Sequence, residues 1–329
     1  MPNPLATAAI PSDSPIMDFD VVVDNGCPLV VCADFSSRVF SWDPVADVWR
    51  EHHVDNPWED EYDFIELTAI AATVVDGRVL IGGGGDHQSF AQWDLRSGAV
   101  RQRANPMESG VQSAAVVEWD RGVEGPVFLS ADSSFPPRHK LFAAGRDADP
   151  RELAANHDGV GRHAAGMLGD TPVLLTDSRG DSAIVWDAAT CTPHAKFWDG
   201  PPFRSLGLIT VDGQQCVVGV ADSSPPVIHI GDPATESWVA SFPELDLEHA
   251  TDDAPDLEST YIGYLGDRPI AAVGMEDGTV TVWDLAARAV AASWAGHDRE
   301  VFAIDVADLG DGPVLITAGR DRCLKLWSL

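Results

Sequence analysis

Short apolar runs of four or five residues recur along the chain. Each is followed by a turn rich in Gly, Asp or Ser and then by a second run in which apolar and polar residues alternate. Such pairs open at Cys27, Gly77, Gly125, Thr171, Gln214, Arg268 and Gly312. Alternation at period two on both sides of a turn is the pattern of a β-hairpin. The second run of each pair ends at Trp42, Trp93, about Ala143, Trp186, Gly231, Trp283 and Trp327. A further strand is predicted before most pairs, over 67–75, 111–118, 163–168, 206–211, 260–265 and 301–306. Another follows each pair and is clearest over 239–242 and 289–294.

The unit is most legible at the C-terminus. There Trp283 and Trp327 stand 44 positions apart, with Gly296-His297 between them. A Gly-His, a hydrophobic-Trp pair and a period of about 40–45 residues mark a four-stranded propeller blade. On these residues the chain resembles the WD40-repeat family. The resemblance implies an all-β, seven-bladed β-propeller of four-stranded antiparallel blades, with residues 1–329 as one domain. Seven such blades need about 315 residues, and the chain has 329. The last blade runs out of chain on its third strand. Residues 5–10 (Leu5 to Ile10) have the apolar, Ala-rich character of the outer strand after Arg288. Residues about 4–10 are therefore expected to pair with the strand containing Leu324 and Trp327, closing the ring and covering its last edge.

The resemblance also implies a structural hydrogen-bonded set in the last blade: His297, Thr317, Asp321 and Trp327. A His, an Asp and a hydroxyl together invite a catalytic reading, but in this family the set locks the blade. Blade six matches at Asp277 and Trp283, with His249 far upstream. Blade four offers His157, Thr176 and Trp186, with Asp181 one position out of place.

Charge changes the picture most. The chain carries 52 acidic and 21 basic residues, a formal net charge of −31, and only three of the basic residues are Lys. This balance repels phosphate backbones, so nucleic acid is not an expected partner. It favours solubility, or attraction of a basic peptide or a cationic ligand. No apolar run reaches the ~18 residues needed to span a bilayer. The first residues show neither the basic nor the apolar segment of a secretory signal. The five scattered cysteines read as reduced core filler, so a cytoplasmic location and no membrane partner are expected. No cofactor motif and no metal-ligand spacing stands out.

Candidate binding residues fall in the loops expected on one face, called top here. Four turns carry Ala-Asp or Thr-Asp followed by Ser or Phe-Ser, at Asp34, Asp132, Asp177 and Asp222. They fit either self-capped turns or a ring of carboxylates at the channel mouth. Two longer acidic loops stretch the Trp spacing. One, over 51–64, carries Trp58, Glu59, Asp60 and Tyr62; the other, over 244–258, carries Asp252 and Asp253. Aromatic residues among carboxylates suit a cation or an Arg/Lys peptide. The channel rim is expected to include Glu66, Gln112, Arg162, Arg204 and Glu258, with the two Arg facing the two Glu.

Two functions remain open. The first is a non-enzymatic scaffold that engages a protein, a peptide or a cationic ligand at an acidic top face. The alternative is a propeller enzyme with a top-centre site, using His53, His87 or His163 with an Asp for acid–base chemistry on a small molecule. Nucleophile-elbow, zinc-protease and phosphate-loop motifs are all missing from the sequence.

Overall fold

The computed structural model describes residues 3–104, 110–117, 125–132, 138–153, 163–178, 182–198, 200–243, 255–310 and 312–329. Across them the chain forms 28 strands and no helix, so none is long and apolar enough to cross a membrane. The strands sort into seven antiparallel sheets of four.

Blade one is β2 (Ile16–Asp24), β3 (Cys27–Asp34), β4 (Val39–Asp43) and β5 (Val48–His52). Blade two is β6 (Ala69–Val75), β7 (Arg78–Gly85), β8 (Gln88–Asp94) and β9 (Val100–Arg103). Blade three is β10 (Val111–Val117) to β13 (Arg151–Glu152), and blade four is β14 (His163–Leu168) to β17 (Thr192–Phe197). Blade five is β18 (Phe203–Val211) to β21 (Ser237–Phe242), and blade six is β22 (Leu257–Leu265) to β25 (Ala289–Ala295). Blade seven is β26 (Val301–Asp308), β27 (Pro313–Gly319), β28 (Cys323–Trp327) and, from the other end of the chain, β1 (Ala6–Ala9). Inner strands of consecutive blades pack side by side, and β2 packs on β26, so the ring is closed.

A regular local device builds five of the seven blades. In blades one, two, four, five and six the third strand places apolar residues in the core and ends on an Asp (Asp43, Asp94, Asp187, Asp232 and Asp284). Trp42, Trp93, Trp186, Trp283 and Trp327 are all buried. The Asp then caps the hairpin to the outer strand: Asp43 accepts the N–H groups of Val45 and Ala46, both at 2.9 Å, and Asp187 those of Ala189 and Thr190. These Asx turns satisfy backbone donors that would otherwise face solvent. Two blades lack the Trp and fill its place differently. In blade three Phe142 stacks on Phe90 of blade two at 4.3 Å. In blade five Gly231 leaves room for Phe197, which lies 5.0 Å from Trp238.

The closing strand pairs Ala6 with Leu326, Thr7 with Lys325, Ala8 with Leu324 and Ala9 with Cys323. Ala8 and Ile10 are buried in a core shared with Ile16, Phe40 and Leu324, so the N-terminal segment packs on both sides of the seam. Removing residues 1–11 exposes the edge of β28 and opens this core. Thermal unfolding should show a Tm lower by several degrees. An unchanged melting curve would mean that the strand adds nothing to closure.

Candidate functional site

Five inner strands open with the same irregularity. The register to the second strand slips between Ile16 and Asp18, Val111 and Ser113, Phe203 and Ser205, Leu257 and Ser259, and Val301 and Ala303. Each slip is a β-bulge, which leaves one residue unpaired and re-aims its side chain. The residues so presented at the top of the channel are Met17, Gln112, Arg204, Glu258 and Phe302. The bulge has a sequence signature, an apolar residue and a small or acidic one separated by one position. That signature would have found Met17 and Phe302, which the rim expected from sequence omitted.

On one side of the ring two of these residues meet. Arg204 of blade five donates from Nη2 to the backbone carbonyl of Glu258 in blade six at 2.9 Å. The two line a cleft of about 330 Å³ together with Asp222, Ser224 and Asp256. Arg204 Nε is buried and has no hydrogen-bond partner among the described residues. The expectation that Arg204 faces Glu258 across the mouth is corrected: blades five and six are neighbours, so the two residues sit side by side. Burial pushes the Glu258 carboxyl up. Glu276, Glu300 and Asp256 push it the same way, against the pull of Arg204. Like charges are thus gathered around Glu258. Next to them, across the seam, the ring of Phe302 from blade seven lies 5.0 Å from that of Phe35 in the β3–β4 turn of blade one. Phe35 is 50% exposed.

The turn that carries Phe35 is held rigidly. Asp34 is fully buried and accepts the N–H groups of Ser36 and Arg38 at 2.8 and 2.9 Å. It also accepts the Ser12 hydroxyl at 2.6 Å and Arg38 Nε at 3.1 Å. Asp132 is buried likewise and accepts the N–H of Arg138. Asp34 and Asp132 are therefore turn caps and do not contribute open carboxylates to a ring. Asp177 is also buried, whereas Asp222 is exposed in the cleft.

The loop over 51–64 departs most from expectation. Trp58 is 1% exposed and packs with Val54, Leu67, Trp93 and Leu95 between blades one and two. Asn56 fastens the loop, since its side chain donates to the Tyr62 carbonyl and accepts the Trp58 N–H. Trp58 is thus a core residue and not a surface aromatic; its apolar area is worth more against Trp93 than in water. Tyr62 is half-buried beside Phe64, while Glu59 and Asp60 remain exposed. Asp252, Asp253 and Arg162 lie outside the described residues, as do His157, Asp181 and His249.

The three histidines weighed for catalysis belong to different blades. His87, in the β7–β8 turn, lies 3.2 Å from Glu66 through Nδ1, and Glu66 also accepts the His87 N–H. His53 is exposed just beyond β5, and it shares no hydrogen bond with His87. Of His163 only the backbone, at the start of β14, is described. The last-blade set is compact: His297 Nδ1 to Asp321 Oδ1 is 2.8 Å, and His297 Nε2 to Thr317 Oγ1 is 2.7 Å. Trp327 Nε1 donates to Thr317 at 2.9 Å, and Lys325 pairs with Asp321 at 3.0 Å. His297 and Thr317 are buried, so the set locks strands to one another. The same Trp-to-Thr bond recurs in blade four between Trp186 and Thr176.

Deeper in the channel wall the inner strands carry carboxylates. Asp18 and Asp20 of β2 reach blade two and accept the N–H groups of Ile70 and Ala72 at 2.9 and 2.7 Å. They satisfy donors on an inner edge that has no further strand to pair with. Burial, with Asp20 next and Asp18 further off, pushes Asp305 of β26 up to about 8. Burial likewise raises Asp20 to about 6, against the N–H groups of Ala72 and Val21. A carboxyl raised in the folded state keeps its proton where the unfolded chain has lost it. Stability from this site is therefore present near pH 4 and declines as pH rises through the folded pKa values. An Asp305→Asn variant mimics the protonated acid. It should unfold together with wild type near pH 4 and be more stable by at least about 2 kcal/mol near pH 8. A difference that does not change with pH would rule this account out.

No model of a known protein family matches the chain. Among curated proteins it is similar to the mouse (Mus musculus) NACHT domain- and WD repeat-containing protein 1, with 34% identity over 70 residues. That stretch is 21% of this chain and 4% of the relative. The likeness agrees with the propeller and reaches no further than those residues.

Proposed function

We propose that the chain is a WD40-type binding scaffold whose top face takes a positively charged segment of a protein or peptide. The surface around Glu258 carries this reading. Glu258, Glu276, Glu300 and Asp256 gather negative charge beside the Phe35–Phe302 pair. A guanidinium or ammonium group needs both, carboxylates for its charge and an aromatic face for its partly desolvated side chain. Arg204 and Arg320 restrict where such a cation sits: Arg204 stands beside Glu258, and Arg320 already pairs with Glu300. The long acidic loops supply a wider field that steers a basic partner. Glu59 and Asp60 belong to that field, as do Asp252 and Asp253 in the second loop. Five free thiols fit a reducing, cytoplasmic setting.

The enzymatic alternative rests on His87 and Glu66. The His87 side chain is 75% exposed, so water screens its contact with Glu66. The scaffold reading is therefore preferred.

A variant with Glu258→Gln, Glu276→Gln, Glu300→Gln and Phe35→Ala tests it. At low salt, capture of basic partners from native extract, and binding of a labelled Arg/Lys-rich peptide, should weaken at least about tenfold. The Tm should stay within a few degrees of wild type. Equal binding by both proteins would sink the top-face reading.

A further inference from the structure

The opposite face of the propeller carries a groove with the reverse charge character. It runs between blades one and two, is about 710 Å³ in volume, and lies among the β2–β3, β4–β5 and β6–β7 turns. These turns are at the far end of the strands from the bulges and from Phe35, so the groove is separate from the top-face surface.

Four arginines line it: Arg50 on β5, Arg78 at the start of β7, Arg96 in the β8–β9 turn, and Arg101 on β9. The whole chain has 21 basic residues against 52 acidic ones, so four cations on one groove are a local reversal. The acidic residues that share the lining are largely occupied. Asp94 binds Arg101 at 3.0 Å and caps Ser97. Asp43 caps its own turn through the N–H groups of Val45 and Ala46. Asp24 accepts the side-chain amide of Asn25. Arg50, Arg78 and Arg96 are exposed and make no hydrogen bond or ion pair among the described residues. Burial holds His52 below its ordinary pKa, with a hydrogen bond to the Leu95 backbone acting against it and the Arg50 charge adding to it.

The remaining lining is apolar. Val48, Arg50 and His52 alternate along β5 and so share one face of it. With Leu29 and Val79 they give the groove a mixed floor of aliphatic surface and cationic rim. The three unpaired arginines come from three separate elements, so they suit several carboxylates spread along a chain better than one compact anion. Guanidinium groups match carboxylates two bonds at a time.

We infer that this groove is a second docking site, which takes an extended acidic peptide segment with aliphatic residues between its carboxylates. The top face and the groove would then hold partners of opposite charge on opposite faces of one ring.

The probe is a fluorescein-labelled peptide, Gly-Asp-Leu-Glu-Ser-Asp-Leu-Glu-Gly, beside the same peptide with Asn and Gln for its acids. Anisotropy is read at about 50 mM salt, where exposed charges still act over more than 10 Å. The acidic peptide should bind wild type and the neutral one at least about tenfold more weakly. The variant Arg50→Glu, Arg78→Glu, Arg96→Glu, checked for an unchanged melting curve, should lose at least about tenfold. The Glu258→Gln variant should bind the acidic peptide as wild type does, which separates this site from the top-face reading. No binding to wild type overturns the proposal, as does equal binding by the triple variant or by the neutral peptide. Self-association of wild type, removed by the triple variant and outcompeting the peptide, would place a second copy's acidic loop in the groove. That too would overturn the assignment.

Discussion

The pairing of β1 with β28 is the contact on which the rest of the molecule depends. Six blades are continuous in sequence and could stack without it. The seventh is assembled from both ends of the chain, through four residue pairs from Ala6–Leu326 to Ala9–Cys323. Joining ends this far apart carries a loop-closure cost that grows only logarithmically with length. One short strand and its buried Ala8 and Ile10 can therefore offset much of it. The segment that follows β1 then crosses directly to blade one. On the way, Ser12 and Asp13 bind Arg38, and Ser12 binds Asp34.

Because the seam is closed, groups from distant parts of the chain become neighbours. Phe302 meets Phe35 there, 267 positions earlier in sequence. Burial, and then the charge of Asp20 brought close across the seam, push the Asp305 carboxyl up. The top-face surface is therefore not the property of any one blade. Glu258, Glu300 and Phe35 belong to blades six, seven and one, and only a closed ring brings them side by side. The arginine groove is different in kind. It lies between two blades that are consecutive in sequence and draws on turns that each blade forms for itself.

The strands were legible from residue pattern because propeller strands obey a local rule. Apolar alternation, a turn and a terminal Trp placed β28 and the third strands of blades six (Thr279–Asp284) and four (Ser182–Asp187) correctly, and the Ala-rich start of the chain announced the closing strand. What was not legible depended on the neighbour of each element. Trp58 looked like a surface aromatic in an acidic loop, yet the loop folds down onto Trp93 and buries it. Asp34 could have been an open carboxylate, and proved to be a buried cap only because Arg38 and Ser12 reach it. Arg204 and Glu258 were assigned to opposite sides of the mouth, although they occupy neighbouring blades. Glu276 and Glu300 stand beside the motif residues Asp277 and His297 without belonging to the motif, and entered the site only through their closeness to Glu258.

Closure of the ring can be tested by a covalent bond. Ala9 lies opposite Cys323, and the hydrogen bond from the Ile10 N–H to the Arg322 carbonyl makes the Ala9–Cys323 position a non-bonded pair of the ladder. Such pairs hold their Cα atoms about 4.5 Å apart, inside the range that a disulfide requires. The account predicts that A9C, oxidised mildly in the folded state, links to Cys323 in a single product seen by peptide mass mapping, and that the linked protein melts at a higher temperature. A thiol at position 9 that stays free, or that links to another cysteine, would contradict a ring closed by its own N-terminus.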